Sequence, residues 1–347
     1  MKFNLKFCPP PPVVKMLLML IIALIMACLS DIAFAGEWTK KADMLEESGN
    51  AQFSATVFDN EIYIFGGSNG GRVICQKYTP HTDTWTKLAN MPHSRQACVS
   101  AEVNGKIYVF GDFLNEFPVD VYDPITNTWE TRTDMPNASR GLAGIATLDN
   151  KIYFIGGYKE SGQITFPDVD AYDTVTSKWE KKKPMPKARD SFRACVFNGN
   201  IYVFAGYVDG IGSTNDVWEY NPNNETWIQK SNMPTIRDGF TLSIIEGKIY
   251  CMGGANWKIS QNGWSTYDIY DPLTDTWANT ENMPVPLVYH ESAVVNNRIY
   301  QIGGMPSFAH GNHLRTIWEY NPFPQPTTSV SPKESLIGTW GAVKSGN

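Results

Sequence analysis

Six times along the chain a short apolar run carries the pair Ile-Tyr, at Ile62-Tyr63, Ile107-Tyr108, Ile152-Tyr153, Ile201-Tyr202, Ile249-Tyr250 and Ile299-Tyr300. Three residues after each tyrosine stands a doublet of small residues: Gly66-Gly67, Gly111-Asp112, Gly156-Gly157, Ala205-Gly206, Gly253-Gly254 and Gly303-Gly304. A further run holds Tyr78, Tyr122, Tyr172, Tyr220, Tyr270 or Tyr320, and the first five are followed seven residues on by Trp85, Trp129, Trp179, Trp227 and Trp277. Met-Pro closes those five units, from Met91-Pro92 to Met283-Pro284. Residues 93–136 show one unit in full, as four extended pieces. Asn104-Gly105 joins the first two, because a type I′ hairpin needs φ > 0 at both central residues. Residues Asp123 to Asn127 make the turn between the third and fourth. A four-stranded antiparallel unit repeating every 44–50 residues predicts an all-β fold, a six-bladed β-propeller.

The spaced glycine doublet, tyrosine and tryptophan resemble the Kelch repeat over residues 37–322. Asp112 and Ala205 break the doublet, and Thr174 replaces the turn proline of the third unit. Blades are expected at about 46–91, 93–135, 137–185, 187–233, 235–283 and 285–322. The sixth has no tryptophan after Tyr320, where Thr327 falls instead, whereas residues 38–44 (WTKKADM) match residues 85–91 (WTKLANM). Residues 37–44 are therefore expected to supply the outer strand of blade 6 and close the ring, which removes exposed sheet edges.

Ahead of the repeats, the basic stretch through Lys15, the apolar run Val13–Leu29 and the small residues of Ala33-Phe34-Ala35 read as a signal peptide over residues 1–35. Cutting after Ala35 leaves 26 Lys and Arg against 34 Asp and Glu, a net charge of −8. That balance argues against a nucleic-acid surface and the signal implies a secreted or periplasmic protein. Membrane attachment requires an uncleaved signal or lipidation at Cys28. Residues 323–347 read as a Pro/Thr/Ser linker and a short apolar tail around Trp340. Cys75, Cys98, Cys195 and Cys251 show no CxxC or metal spacing, and free buried thiols are expected; no cofactor and no metal are expected.

In such blades the second-to-third loops share one face with the blade-to-blade connections. They are the long, variable loops here, and function concentrates on such loops over a rigid scaffold. They carry Arg72, Phe113, Phe117, Tyr158, Lys159, Phe166, Tyr207, Asp209, Trp257, Trp264, Phe308, His310 and His313. Twelve residues before each repeat isoleucine, where the innermost strand is expected to begin, stand Asn50, Arg95, Arg140, Arg189, Arg237 and Leu287. Arginine's planar fork suits carboxylates, and in Kelch adaptors arginines at this place hold acidic peptides. The resemblance thus implies an anionic protein or glycan ligand held by Arg95, Arg140, Arg189 and Arg237, with Tyr158, Tyr207, Trp257 and Trp264 as stacking surfaces. The other reading is structural, the arginines satisfying carbonyls and carboxylates such as Asp190 and Asp238. An enzymatic alternative is a cofactor-independent sugar epimerase or mutarotase of the N-acetylneuraminate epimerase type, known among exported six-bladed Kelch proteins. His290 and Glu291 would be its acid/base candidates. Protein binding or carbohydrate binding is the leading expectation.

Overall fold

The computed structural model describes residues 36–45, 51–68, 72–112, 115, 118–132, 135–136, 140–161, 163–308 and 312–324, without the side chains of residues 279–281. The signal segment, Cys28, Asn50, Phe113, Phe117, His310, Thr327 and Trp340 lie outside the described residues. One compact unit spans Gly36–Pro322. It consists of six antiparallel sheets, the blades, each of at least four strands, which in the first five blades run in chain order from the inside outward. Their innermost strands are Ser54–Phe58, Val99–Val103, Gly144–Leu148, Arg193–Phe197, Thr241–Ile245 and Glu291–Val295. The described residues contain no helix long and apolar enough to cross a membrane.

Glu37–Lys41 pairs with Ile317–Asn321 and is the outer strand of blade 6. Its register puts Trp38 opposite Tyr320, as Trp85 stands opposite Tyr78 and Trp277 opposite Tyr270. The first strand of the propeller therefore completes its last blade, and the ring has no free edge there.

Neighbouring blades are tied at three radii. On the outside, the indole N–H groups of Trp85, Trp129 and Trp277 donate to the carbonyls of Ala42, Ala89 and Ser231 on the preceding blade. The backbone N–H groups of those same three residues donate to Asp83, Asn127 and Asp275. Those acceptors also take the hydroxyls of Tyr78, Tyr122 and Tyr270, at 2.6, 2.7 and 2.6 Å. All three sit in the third-to-fourth turn at φ 55°, a conformation that Asn and Asp tolerate better than other side chains. Blades 3 and 4 have Ser177 and Glu225 at this place; among the described residues the buried Tyr172 hydroxyl has no partner, and the Tyr220 hydroxyl has only the Lys183 backbone N–H nearby.

At mid-radius the glycine doublet meets the next blade. A Cβ on Gly66 would lie 2.6 Å from the Arg95 carbonyl oxygen, and one on Gly156 2.7 Å from that of Arg189. The second glycine donates to the same oxygen, as Gly67 does to Arg95 and Gly157 to Arg189. Close backbone approach is the reason the doublet recurs.

At the axis a closed ring of six backbone hydrogen bonds links all the blades. Ala97 donates to Gln52, Leu142 to Ala97, Ser191 to Leu142, Gly239 to Ser191, Tyr289 to Gly239 and Gln52 to Tyr289, at 2.7–3.2 Å. All six residues have φ between 51° and 60°, a left-handed conformation that turns each N–H along the circumference. This collar marks the loop-rich end of the axis.

The four cysteines are free, with Cys75, Cys98 and Cys251 buried and Cys195 only partly so. Burial pushes the thiols of Cys98 and Cys195 up to about 12, so neither is a thiolate at neutral pH.

Candidate functional site

The arginines lie elsewhere than a ligand-binding role requires. Arg95, Arg140, Arg189 and Arg237 are all 0% exposed. Each precedes its innermost strand by four residues and turns back into its own blade, toward an aspartate of the third strand. Arg95 meets Asp120 at 2.8 Å, Arg140 Asp170 at 2.6 Å, Arg189 Asp216 at 2.8 Å and Arg237 Asp268 at 2.7 Å. Arg95, Arg189 and Arg237 also donate to the carbonyls of Gly111, Ala205 and Gly253. Burial works to raise the Asp216 carboxyl, but the bonds and charge of Arg189 outweigh it and hold it at about 2. These pairs are internal to the blades, so the expectation that the four arginines contact an anionic ligand is corrected. Asp190 and Asp238 are not their partners either.

The partners had a signature in the sequence. Asp120, Asp170 and Asp268 stand two residues before the repeat tyrosine, and Asp216 four before it. Where the arginine is replaced, by Asn50 and Leu287, the third strand carries Gln76 and Trp318 instead. Arginine and aspartate thus come and go together between units of one chain.

The catalytic candidates separate. His290 is 0% exposed; burial and then Arg193 push its pKa down to about 3. It is a neutral core residue with Thr241 Oγ1 at 3.4 Å. Glu291 starts the innermost strand of blade 6 and meets Arg193 of blade 4 at 2.7 Å, with about a fifth of each side chain exposed. This ion pair spans blade 5, whose Phe240 carbonyl Arg193 also meets, and it lines the central channel just below the collar, beside a cavity of about 120 Å³ that reaches Ser54, Ser100 and Gly144. Between the pair and the collar the space is about 20 Å³, room for about one water.

Three of the four aromatic candidates gather on blades 3 to 6 of the loop-rich face. Trp257 is 39% exposed and stacks on Phe308 at 3.5 Å between centroids and 20° between planes. Tyr289 of the collar packs edge-on against Phe308 at 5.1 Å. Tyr207 stands opposite Asp190 in its ladder, and Tyr158 lies within the field of the same carboxylate. Trp264 is apart from these. It covers the Arg237 guanidinium at 5.6 Å and lines, with Tyr267, Asp268 and Pro286, an open cleft of about 530 Å³.

Beneath the Trp257 group are two acids that follow the arginines of blades 4 and 5. Asp190 accepts from Ser191 Oγ at 2.8 Å, and Ser191 Oγ lies 3.3 Å from the Tyr289 hydroxyl. Asp238 accepts from Ser213 Oγ at 2.6 Å, and Ser213 Oγ accepts the Trp257 backbone N–H. Burial raises the Asp190 carboxyl to about 6, and burial with the repulsion of Asp190 raises Asp238 to about 7.

The comparisons match this architecture. The KLHDC2/KLHL20/DRC7 Kelch-repeats domain matches residues 142–336, and single Kelch motifs match 50–92 and 94–136. The chain is a Kelch-repeat protein. Spermatocyte protein spe-26 of Caenorhabditis elegans is 24% identical over 54% of this chain and 34% of its own length. Beta-scruin of Limulus polyphemus is 30% identical over 35% of this chain and 14% of its own length. Human Kelch-like protein 35 is 29% identical over 32% and 19%. This Kelch protein thus spans about a third or less of the curated relatives it matches. The solved structure of YjhT superposes with a TM-score of 0.69 over 79% of this chain and 95% of that one, at 18% identity, which shows a shared fold.

Proposed function

We propose that this Kelch protein is a recognition module that binds a protein partner through the loop-rich face over blades 4 to 6. The observation that carries the reading is the Trp257–Phe308 stack, an aromatic plate left partly open to solvent on a rigid ring. Large aromatic side chains at such places are typical anchors of protein recognition. The first-to-second loops of the opposite face are two-residue turns at Asp59-Asn60, Asn104-Gly105, Asn198-Gly199, Glu246-Gly247 and Asn296-Asn297, with φ > 0 at both positions. A photo-cross-linking amino acid at position 257 is expected to trap a defined partner in the source cells. The same probe at Ile125, exposed on a third-to-fourth turn, is expected to trap none. Equal adducts from both positions would discard the reading.

The sugar epimerase remains a second reading because Glu291 and Arg193 bring a carboxylate and a cation together at the wall of the central channel. The narrow collar above them argues against sugar access. Proton NMR of N-acetylneuraminate is expected to show no faster anomer exchange with the protein present; an acceleration lost in Glu291→Gln would put this reading first. Export is part of the proposal and rests on residues 1–35. Sequencing the exported protein should find Gly36 at its N-terminus, whereas a lipidated Cys28 would make it a tethered protein.

A further inference from the structure

Resting on the loop-rich face as the binding surface, we propose that the cluster of Asp190 and Asp238 beside the Trp257 plate is a site for an organic cation, the ammonium or guanidinium of a partner's basic side chain. Every buried arginine of blades 2 to 5 has its own aspartate, yet Asp190 and Asp238 are 7% and 0% exposed with no such partner. Among the described residues no ion pair joins a lysine or arginine to Asp190, Asp238 or the exposed rim residue Asp209. Lys258, next to Trp257, lays its side chain against Gly212 instead. Burying carboxylates without a countercharge is costly.

The scaffold does not require these acids. The corresponding position in the other blades is Ala51, Gln96, Gly141 and Val288, and the collar, made by the next residue of every blade, closes whichever of these stands there. An independent sign is Asp238 Oδ1, which is buried with no hydrogen-bond partner of normal geometry; the Trp257 indole stands by as a weak donor. Trp257 is 39% exposed and Tyr289 partly so, while Asp190 is 7% and Asp238 0% exposed, so a cation held by the aromatic groups meets Asp190 first and feels Asp238 behind it.

The rim decides which cation. Aromatic faces attract organic cations, which share their charge with the ring and the carboxylate together. A hard metal ion needs six or more oxygen ligands, and among the described residues no three metal-type side chains converge. A neutral sugar would leave the acids uncompensated. The occupant that fits is a lysine or arginine side chain.

The test is calorimetry on the full chain with tetralysine, tetraglutamate and calcium chloride as probes. Tetralysine is expected to bind and to weaken by about tenfold or more in the Asp190→Asn/Asp238→Asn variant, with tetraglutamate silent. In protein labelled with ¹⁵N at the indoles, tetralysine should shift the Trp257 N–H signal, assigned through Trp257→Phe. Removing uncompensated charges should leave the double variant at least as heat-stable as the parent; if it does not fold, Asp238→Asn and the indole shift decide. Equal tetralysine affinity in parent and variant would mean general attraction to an acidic protein and overturns the site, as would an unmoved Trp257 signal. Calcium binding lost in the same variant would overturn the organic cation in favour of a metal. A partner trapped at position 257 alongside a failed tetralysine test would sink the cation and leave the binding face standing; failure of both removes the face.

Discussion

Arginine 95 shows how one side chain can be mistaken for a ligand anchor. Its position in the repeat recurs, its residue type suits carboxylates, and the carboxylate it holds is Asp120 of its own blade. Removing one member of a buried pair leaves an uncompensated charge, so Arg95→Ala should cost about 3–5 kcal/mol in urea unfolding. Adding Asp120→Asn should recover part of that loss; a single variant within about 1 kcal/mol of the parent would contradict the structural role. Asp238 has the opposite character. Its folded pKa of about 7 exceeds the usual carboxylate value, 3.8, so between these values the native state binds more protons than the unfolded chain. Stability from this group therefore falls as pH rises from about 4 to about 7. Asp238→Asn should flatten that slope and gain up to about 4 kcal/mol at pH 8, since a tenfold change in proton affinity between the folded and unfolded chain is worth about 1.4 kcal/mol. Urea titrations at pH 5.5 and 8 check it, and parallel changes in both proteins would refute it.

Between elements, the outer clasp is the recurrent device. One oxygen in a left-handed turn holds a tyrosine of its own blade and a backbone N–H of the preceding one. Asp83→Ala breaks both bonds at the joint between blade 1 and the N-terminal strand, and should lower stability by about 2–3 kcal/mol. Blade 3 offers the converse change. Ser177→Asn puts an acceptor near the unpartnered Tyr172 hydroxyl and suits the φ of 55°. An expected gain of about 1 kcal/mol would raise Tm by about 2 °C in a domain of this size. A lower Tm would show that the Ser177 hydroxyl's bond from Arg132 matters more than the tyrosine.

Ring closure belongs to the whole molecule. The Glu37–Lys41 strand brings Trp38 onto Tyr320 at 4.7 Å, and Met44 donates to the Arg315 carbonyl at 2.8 Å. Deleting residues 36–44 should expose the edge Ile317–Asn321 and lower Tm by more than about 10 °C. It should also promote association, because an open edge pairs with other chains. A monomeric deletion melting within a degree or two of the parent would show that the strand is dispensable. The collar makes the same point at the axis, since each of its hydrogen bonds joins two blades and none forms within one.

Blade number, strand order, the type I′ turns and the closing strand were legible in the sequence because each depends on local chemistry repeated in register. Ile-Tyr, Asn-Gly and Trp-Thr-Lys mean the same thing at every copy, and six copies fix the period. Even the Arg–Asp pairing left a trace, in the units where both residues are missing together. What the sequence left open is direction and burial. An arginine twelve residues before the repeat isoleucine could point to solvent or back into the blade, and only the packed ring, with Asp120 and its equivalents beneath, decided the second. His290 and Glu291 are neighbours in sequence, yet packing against Gly253 and Gly304 buries one while the other reaches past blade 5 to Arg193 of blade 4. Asp190 and Asp238 lie 48 residues apart and come together only because consecutive blades face a common axis. That convergence is a property of the closed tertiary ring, and no single repeat encodes it.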